Sequence, residues 1–162
     1  MNTNQLITAP HHQFFSVEKA NSALVLVRPI ITELLTKHKR LQKVQFEIEA
    51  LEVKLSAETE ENASEENLLD QLYSEMQALL DYIAHNIEEL HQIGCVFKDF
   101  QVGIADFPTH FNGRDVYLCW QHGDIEVTHW HEMEEGFAGR EPINEYFIKH
   151  SGAEAAVSTL SP

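Results

Sequence analysis

The residues with the clearest potential for chemistry lie between positions 106 and 142 of the chain. His129 and His131 are separated by one residue, so on a β-strand both imidazoles point to the same side of the sheet. Imidazole binds transition metals, and a carboxylate beside two histidines completes a frequent set of metal ligands. The spacing therefore predicts a metal site that contains His129 and His131.

The remaining ligands of such a site are drawn from nearby residues, namely Asp106, Glu134, Glu135 and His110. Zinc, iron, manganese and nickel are all compatible with two histidines and a carboxylate, so the pattern does not select the metal. A bound metal would activate water or polarise a substrate oxygen, although the sequence does not say whether the protein is an enzyme. The alternative is a half-buried histidine pair bonded to backbone or carboxylate groups, in a protein that is a non-enzymatic homodimeric interaction or scaffold module.

Three further residues carry side chains that are suited to binding or to reaction. Arg114 and Arg140 each follow a glycine and precede an acidic residue. Such an arginine commonly forms a structural pair with a carboxylate, and its alternative role is to bind a small anionic ligand through a carboxylate or phosphate. Cys119 is either a core cysteine or a redox-active thiol.

The charge of the chain restricts its partners. Its 162 residues include 26 acidic and 11 basic side chains, which gives a net charge of −15. That charge repels nucleic acid and anionic membrane surfaces, so neither is expected as a partner. The chain has two cysteines, no secretory start and no apolar run of about 18 residues, so we expect a cytoplasmic protein without a membrane span.

Apolar periodicity predicts two long helices. The first follows Ser16, a typical N-cap residue, and its apolar side chains recur every three or four residues as far as Leu55. The second begins near Ser64 and ends at Gly94, which suits the left-handed position after a helix. The short polar connection predicts an antiparallel helical hairpin, and we expect a homodimer formed through these helices.

Pro29 lies inside the first predicted helix. Proline removes a backbone hydrogen bond there, which predicts a kink. The second helix ends roughly opposite Pro29, so residues 17–28 lack a helical partner. We expect the proline to turn this segment onto the C-terminal part of the chain.

From Cys95 onward the apolar period changes to two, which predicts a small antiparallel sheet. The predicted strands are 95–98, 104–107, 116–121 and 125–131, followed by a short strand or helix at 143–150. A tight turn at 123–124 would place His129 and His131 on the core face with Leu118, and Cys119 on the opposite face. On that pattern Cys119 is disfavoured as a ligand of the same site.

The predicted fold is α+β, with a long antiparallel helical hairpin, kinked at Pro29, packed on a small antiparallel β-sheet. The predicted organisation is a flexible arm at 1–14, the hairpin at 15–94, a small β module at 95–150 that forms one domain with the hairpin, and a disordered tail at 151–162.

A series of different short motifs is spread over most of the chain. They are S-V-E-K-A-N at 16–21, R-P at 28–29, G-R-x-V-x-L-C-W at 113–120, G-D at 123–124, W-H at 130–131 and G-F-A-G-R-x-P at 136–142. This series resembles an uncharacterised bacterial domain-of-unknown-function family (DUF2203), over roughly residues 14–145. The resemblance implies a helical hairpin followed by a small sheet module, and no established activity. It places His131 and Asp106 on motif positions and leaves His129 outside them.

Overall fold

The computed structural model describes residues 13–57 and 62–152 of the chain. Two long helices come first, α1 at Val17–Ala57 and α2 at Ala63–Ile93. The strands that follow are β1 (Val96–Asp99), β2 (Ile104–Phe111), β3 (Arg114–Gln121), β4 (His129–Glu132) and β5 (Glu141–Pro142). A 3₁₀ turn at Phe137–Gly139 precedes β5, and a short helix, α3, occupies Glu145–His150.

This architecture confirms the predicted α+β fold, in which a helical hairpin packs on a small antiparallel sheet. The segment at 143–150, predicted as a strand or a helix, contains α3. Most of the predicted arm and tail falls on residues 1–12 and 153–162, which lie outside the described residues. Within the described ranges, no helix combines the length and the apolar character needed to cross a membrane.

The helix ends follow their sequence signals. The Ser16 hydroxyl accepts a hydrogen bond of 3.1 Å from the backbone N–H of Lys19 at the start of α1. Gly94 follows α2 with a φ of +104°, and its N–H donates to the carbonyl of Leu90. α1 continues through Pro29 as one helix, so the proline does not break it, and the kink stays a prediction.

The two helices are joined along an apolar seam, and the rest of α1 reaches the sheet. The seam is formed by Leu41, Val44 and Ile48 of α1 with Leu72, Leu79 and Ile83 of α2, all buried. Closer to its N-terminus, α1 contacts the loop between β3 and β4. The Asn21 side-chain oxygen accepts from the Val127 N–H at 2.7 Å, and Arg28 donates to the Asp124 and Ile125 carbonyls at 3.2 and 2.7 Å.

The sheet is an antiparallel meander in the order β1-β2-β3-β4-β5. Its face toward α1 carries large apolar side chains, including Phe107, Leu118, Trp120 and Trp130, all buried in the common core. The guanidinium of Arg28 lies 5.6 Å from the centre of the Trp120 ring. One core therefore extends from the hairpin into the sheet.

Gly103 allows the turn between β1 and β2 to approach α1 closely. Its φ is +73°, which L side chains rarely adopt. A Cβ at this position would lie 2.7 Å from His122 Cβ and 3.0 Å from Leu35 Cδ1. Any larger residue would therefore separate this turn from α1.

Replacing Arg28 by alanine should loosen the contact between α1 and the loop at 122–128. Hydrogen bonds from a charged donor contribute ~1.5–3 kcal/mol, so we expect the free energy of unfolding to fall by ~2 kcal/mol. Chemical denaturation followed by tryptophan fluorescence measures this change. Arg40→Ala is the matched control, because Arg40 forms an exposed ion pair with Glu75 within the hairpin and its loss should have a smaller effect.

Candidate metal centre

Strand β4 pairs with β3 one residue away from the predicted register. Tyr117 lies opposite His131, and Cys119 lies opposite His129. A tight turn at 123–124 would instead have placed His131 opposite Val116. A shift of one residue reverses the faces, so both histidines share a face with Cys119 and not with Leu118. The predicted assignment of the histidines to the core face is wrong.

The loop before β4 explains the difference in register. β4 begins at His129, four residues later than the predicted start at Ile125. The intervening backbone is held by Asn21 and Arg28 of α1, and the indole N–H of Trp120 donates to the Asp124 carbonyl at 3.0 Å. The sequence of the turn alone does not reveal the contacts with α1, because that helix is distant along the chain.

The register in the structure brings together three side chains that can bind a metal. Asp106 of β2 lies directly opposite Cys119 of β3, and His131 comes from β4. One carboxylate oxygen, the thiol sulfur and an imidazole nitrogen lie within 4.8 Å of one another. Asp106 and Cys119 are each 1% exposed and His131 is 2% exposed, so the cluster is almost completely removed from solvent.

The imidazole of His131 is held at both nitrogens. Its Nδ1 lies 2.7 Å from the backbone carbonyl oxygen of Glu132, and its Nε2 lies 2.9 Å from Asp106 Oδ2. A carbonyl oxygen only accepts, so Nδ1 carries the proton of this hydrogen bond. Nε2 is consequently the nitrogen that can coordinate a cation, with its orientation fixed by the bond at Nδ1.

Burial dominates the electrostatics of the cluster. It raises the pKa of Asp106 above its usual range, and the neighbouring His131 opposes the shift only in part. Burial also raises the pKa of Cys119 to about 12, and the nearby Asp106 carboxylate acts in the same direction. A neutral, buried thiol of this kind is a poor nucleophile, which disfavours the redox-sensor alternative at Cys119.

Two polar atoms at the cluster are buried without a nitrogen or oxygen hydrogen-bond partner. One is Oδ1 of Asp106, the carboxylate oxygen not bonded to His131. The other is Nη1 of Arg140, a residue close enough to Cys119 to lower the pKa of its thiol. Buried polar groups are nearly always paired, because an unpaired group loses its hydration without compensation. Here the Asp106 carboxylate and the Arg140 guanidinium both contact the thiol of Cys119, which is only a weak donor and a weak acceptor.

The other sequence-predicted ligands lie apart from this cluster. His129 shares the face, but its Nδ1 is bonded to Thr128 Oγ1 at 2.9 Å. The Nδ1 of His110 lies 3.0 Å from an Asp115 carboxylate oxygen. The remaining candidates are Glu134 and Glu135, which are exposed in the segment after β4.

The two predicted anion-binding arginines differ in their surroundings. Arg114 forms a bidentate pair with Glu132, which holds the pKa of that carboxyl below its usual range. This is the structural pairing considered from the sequence. Arg140 instead has its guanidinium carbon 4.1 Å from the centre of the Phe137 ring, beside Cys119.

Sequence reasoning separated Cys119 from the histidines because it assumed a tight turn. One signal could have found the cluster: Asp106 and His131 both fall on motif positions, and Cys119 lies inside the longest motif. The pairing of β2 with β3 around the turn at 112–113 also places Asp106 directly opposite Cys119.

Comparison with known proteins identifies the family of the chain but does not indicate an activity. Residues 13–143 match the family described as Uncharacterized conserved protein (DUF2203). The chain belongs to this family. No curated protein and no solved structure gives a match. The DUF2203 region contains both long helices and all five strands, including all three residues of the cluster.

The thiol of Cys119 should react slowly in the folded protein. In the Cys95→Ala variant after chelator treatment, we expect alkylation by iodoacetamide at pH 8 to be at least about a hundredfold slower than in denaturant, because the thiolate is scarce and buried. Labelling at comparable rates would contradict the buried, neutral state.

The same shift has a consequence for stability. The folded protein favours the neutral thiol. The contribution of Cys119 to the free energy of unfolding is therefore complete below about pH 8.5, the pKa of an unperturbed cysteine. That contribution is lost as the pH rises toward about 12, the pKa of Cys119 in the folded protein.

Proposed function

We propose that this DUF2203 protein binds a transition metal ion, zinc in preference, through Asp106, Cys119 and His131. The observation that supports this most strongly is the convergence of a carboxylate, a thiol and an imidazole from three adjacent strands within 4.8 Å. Each side chain is held by a strand of the sheet, and rigid elements position ligands more accurately than loops do.

Zinc binding requires a small adjustment of the three ligand atoms, which lie within 4.8 Å of one another. Ligand atoms around a tetrahedral Zn²⁺ lie about 3.3–3.8 Å from one another, given its bond lengths to nitrogen, oxygen and sulfur. The separation of 2.9 Å between His131 Nε2 and Asp106 Oδ2 would open slightly as a metal replaces the shared proton. The cation would also favour the thiolate form of Cys119.

The donor set favours zinc over other metals considered from the sequence. A thiolate together with an imidazole is typical of zinc, whereas manganese prefers oxygen ligands. Three protein ligands leave one coordination position open, as in catalytic zinc sites. The arrangement therefore suits a site that binds an additional small ligand.

The competing interpretation is a buried polar cluster that only joins three strands. In that case the Asp106 carboxylate has, besides His131, only the weak thiol donor of Cys119 as a partner among the described residues, so its lost hydration is incompletely compensated. A bound cation gives this carboxylate a partner and accounts for the cysteine beside it. We therefore favour the metal site.

Cobalt is the probe that distinguishes these interpretations. We expect tag-free, chelator-treated protein to bind one Co²⁺ and to develop sulfur-to-cobalt charge-transfer absorption. The Cys119→Ser variant should lose this absorption, and Asp106→Asn and His131→Ala should each weaken binding by more than about tenfold. Wild-type protein should also unfold at higher temperature with bound metal, because a ligand of the folded state stabilises it.

Matched variants identify the ligands. Cys95→Ala removes the other buried cysteine and His129→Ala removes the neighbouring histidine, and neither should alter the cobalt spectrum. Circular dichroism checks that each variant is folded. Absence of cobalt binding to wild-type protein would refute the proposal, and loss of the charge-transfer band in Cys95→Ala instead of Cys119→Ser would refute this ligand set.

A second candidate function is self-association through the hairpin. Beside its buried seam, α2 carries a row of apolar side chains at heptad spacing, namely Tyr73, Leu80 and Ile87, bordered by Leu69 and Met76, which pack partly against the core. Three of these are substantially exposed, at 40% for Tyr73, 41% for Leu80 and 36% for Ile87. A second copy is the occupant we propose, because a two-fold axis would pair this row with itself.

Substitution within this row should dissociate the dimer. We expect wild-type protein to sediment with about twice the mass of one chain, and Leu80→Lys with the mass of a monomer, since a buried lysine opposes association. Val53→Lys is the control, because Val53 is exposed on α1 outside the row. A wild-type protein that stays monomeric at high concentration would contradict the proposal.

A further inference from the structure

Arg140 has an unused donor in the interior of the protein. The residue follows the 3₁₀ turn at Phe137–Gly139, and its guanidinium lies against the Phe137 ring. Its Nη1 is buried without a nitrogen or oxygen partner among the described residues, and the group that the guanidinium contacts is the weakly accepting sulfur of Cys119. Arg140 directly precedes β5, and because Glu141 of β5 pairs with Trp130 of β4, the register places Arg140 next to His131 of the cluster.

Arg114 shows by contrast what a satisfied arginine looks like in this fold. Its Nε lies 3.1 and 3.0 Å from the two carboxylate oxygens of Glu132, and the pair is largely exposed. Arg140 has no comparable ion pair among the described residues. One arginine of the sheet module is thus neutralised, whereas the other presents a donor toward the candidate metal ligands.

The charges of the loaded site point to the missing partner. A divalent cation with the Asp106 carboxylate and the Cys119 thiolate is neutral as a group, because His131 binds as the uncharged imidazole. Arg140 then adds a positive charge whose Nη1 is removed from water, whereas Lys98, whose charge also acts on Asp106, is exposed to solvent. A charge that loses hydration without gaining a counter-charge is unfavourable, so a single negative charge near Nη1 would stabilise the site.

We infer that the open coordination position takes a small monovalent oxyanion, one oxygen of which binds the metal while another accepts from Arg140 Nη1. This inference rests on the proposed metal site and specifies the class of ligand or substrate that the site receives. A guanidinium that donates to a carboxylate is a strong, directional interaction. Arg140 would thereby orient the anion relative to the metal.

The burial of the cluster limits the size of the anion. Asp106, Cys119 and His131 are at most 2% exposed, which excludes a large substrate from direct contact with all three. The segment after β4 is also tightly folded, since a Cβ at Gly139 would lie 2.7 Å from Glu135 Cβ. Formate and acetate are the simplest anions that satisfy both the charge and the size.

Formate binding to the cobalt-loaded protein tests the inference. Adding sodium formate at constant ionic strength should change the visible ligand-field spectrum of the bound Co²⁺ in a saturable manner. Arg140→Gln should retain the sulfur-to-cobalt band but require at least about tenfold more formate, because the charge-assisted hydrogen bond is lost. Arg114→Gln is the matched control and should respond as wild type does.

Each outcome has a distinct meaning. A cobalt spectrum that formate does not alter, or an Arg140→Gln response equal to that of wild type, would overturn the anion inference and leave the metal site intact. Failure of wild-type protein to bind Co²⁺ would overturn both. Arg140→Lys tests geometry as well: it keeps the charge but lacks the planar fork, so we expect a formate affinity between those of wild type and Arg140→Gln.

Discussion

The register between β3 and β4 is the constraint on which the candidate site depends. Side chains alternate along a strand, so moving β4 by one residue would put Trp130 in place of His131 on the face that carries Asp106 and Cys119. The observed register is accompanied by the bonds that Asn21 and Arg28 make to the loop before β4. A helix far away in sequence therefore helps to determine which side chain lies beside Cys119.

The two faces of the sheet have separate physical roles. The face toward α1 buries aromatic and aliphatic side chains and supplies most of the hydrophobic stabilisation. The opposite face buries a carboxylate, an imidazole and a thiol, which gain little from leaving water unless they are paired. Stability supplied by the first face allows the second to keep groups whose burial is unfavourable.

Much of the fold was predictable because its signals are local. Ser16 and Gly94 bound the helical hairpin through capping chemistry, and the change of period at Cys95 separates helices from strands. The turn at 112–113 joins β2 to β3 in the structure, although the predicted strand 104–107 ended four residues before β2 does. The pairing of β3 with β4 was not predictable, because the G-D turn suggests a tight hairpin while contacts with α1 hold a longer loop.

The candidate site was predicted in part for the same reason. Asp106 and His131 were recognised from residue type and motif position, and the structure brings them together. His129 was included because of its spacing, yet its bond to Thr128 holds it outside the cluster. Cys119 was assigned to the wrong face by a one-residue error in register, so a correct choice of residue types produced an incorrect set of neighbours.

The outer strands of the meander affect how this protein can associate with others. An unpaired strand edge exposes backbone donors and acceptors that can recruit a strand from another chain, which leads to aggregation. Here β1 has only four residues and an irregularity between Phe97 and Asp99, while β5 has two residues and ends at Pro142, which has no N–H to donate. Neither border offers a long, regular template, so sheet extension between copies is disfavoured.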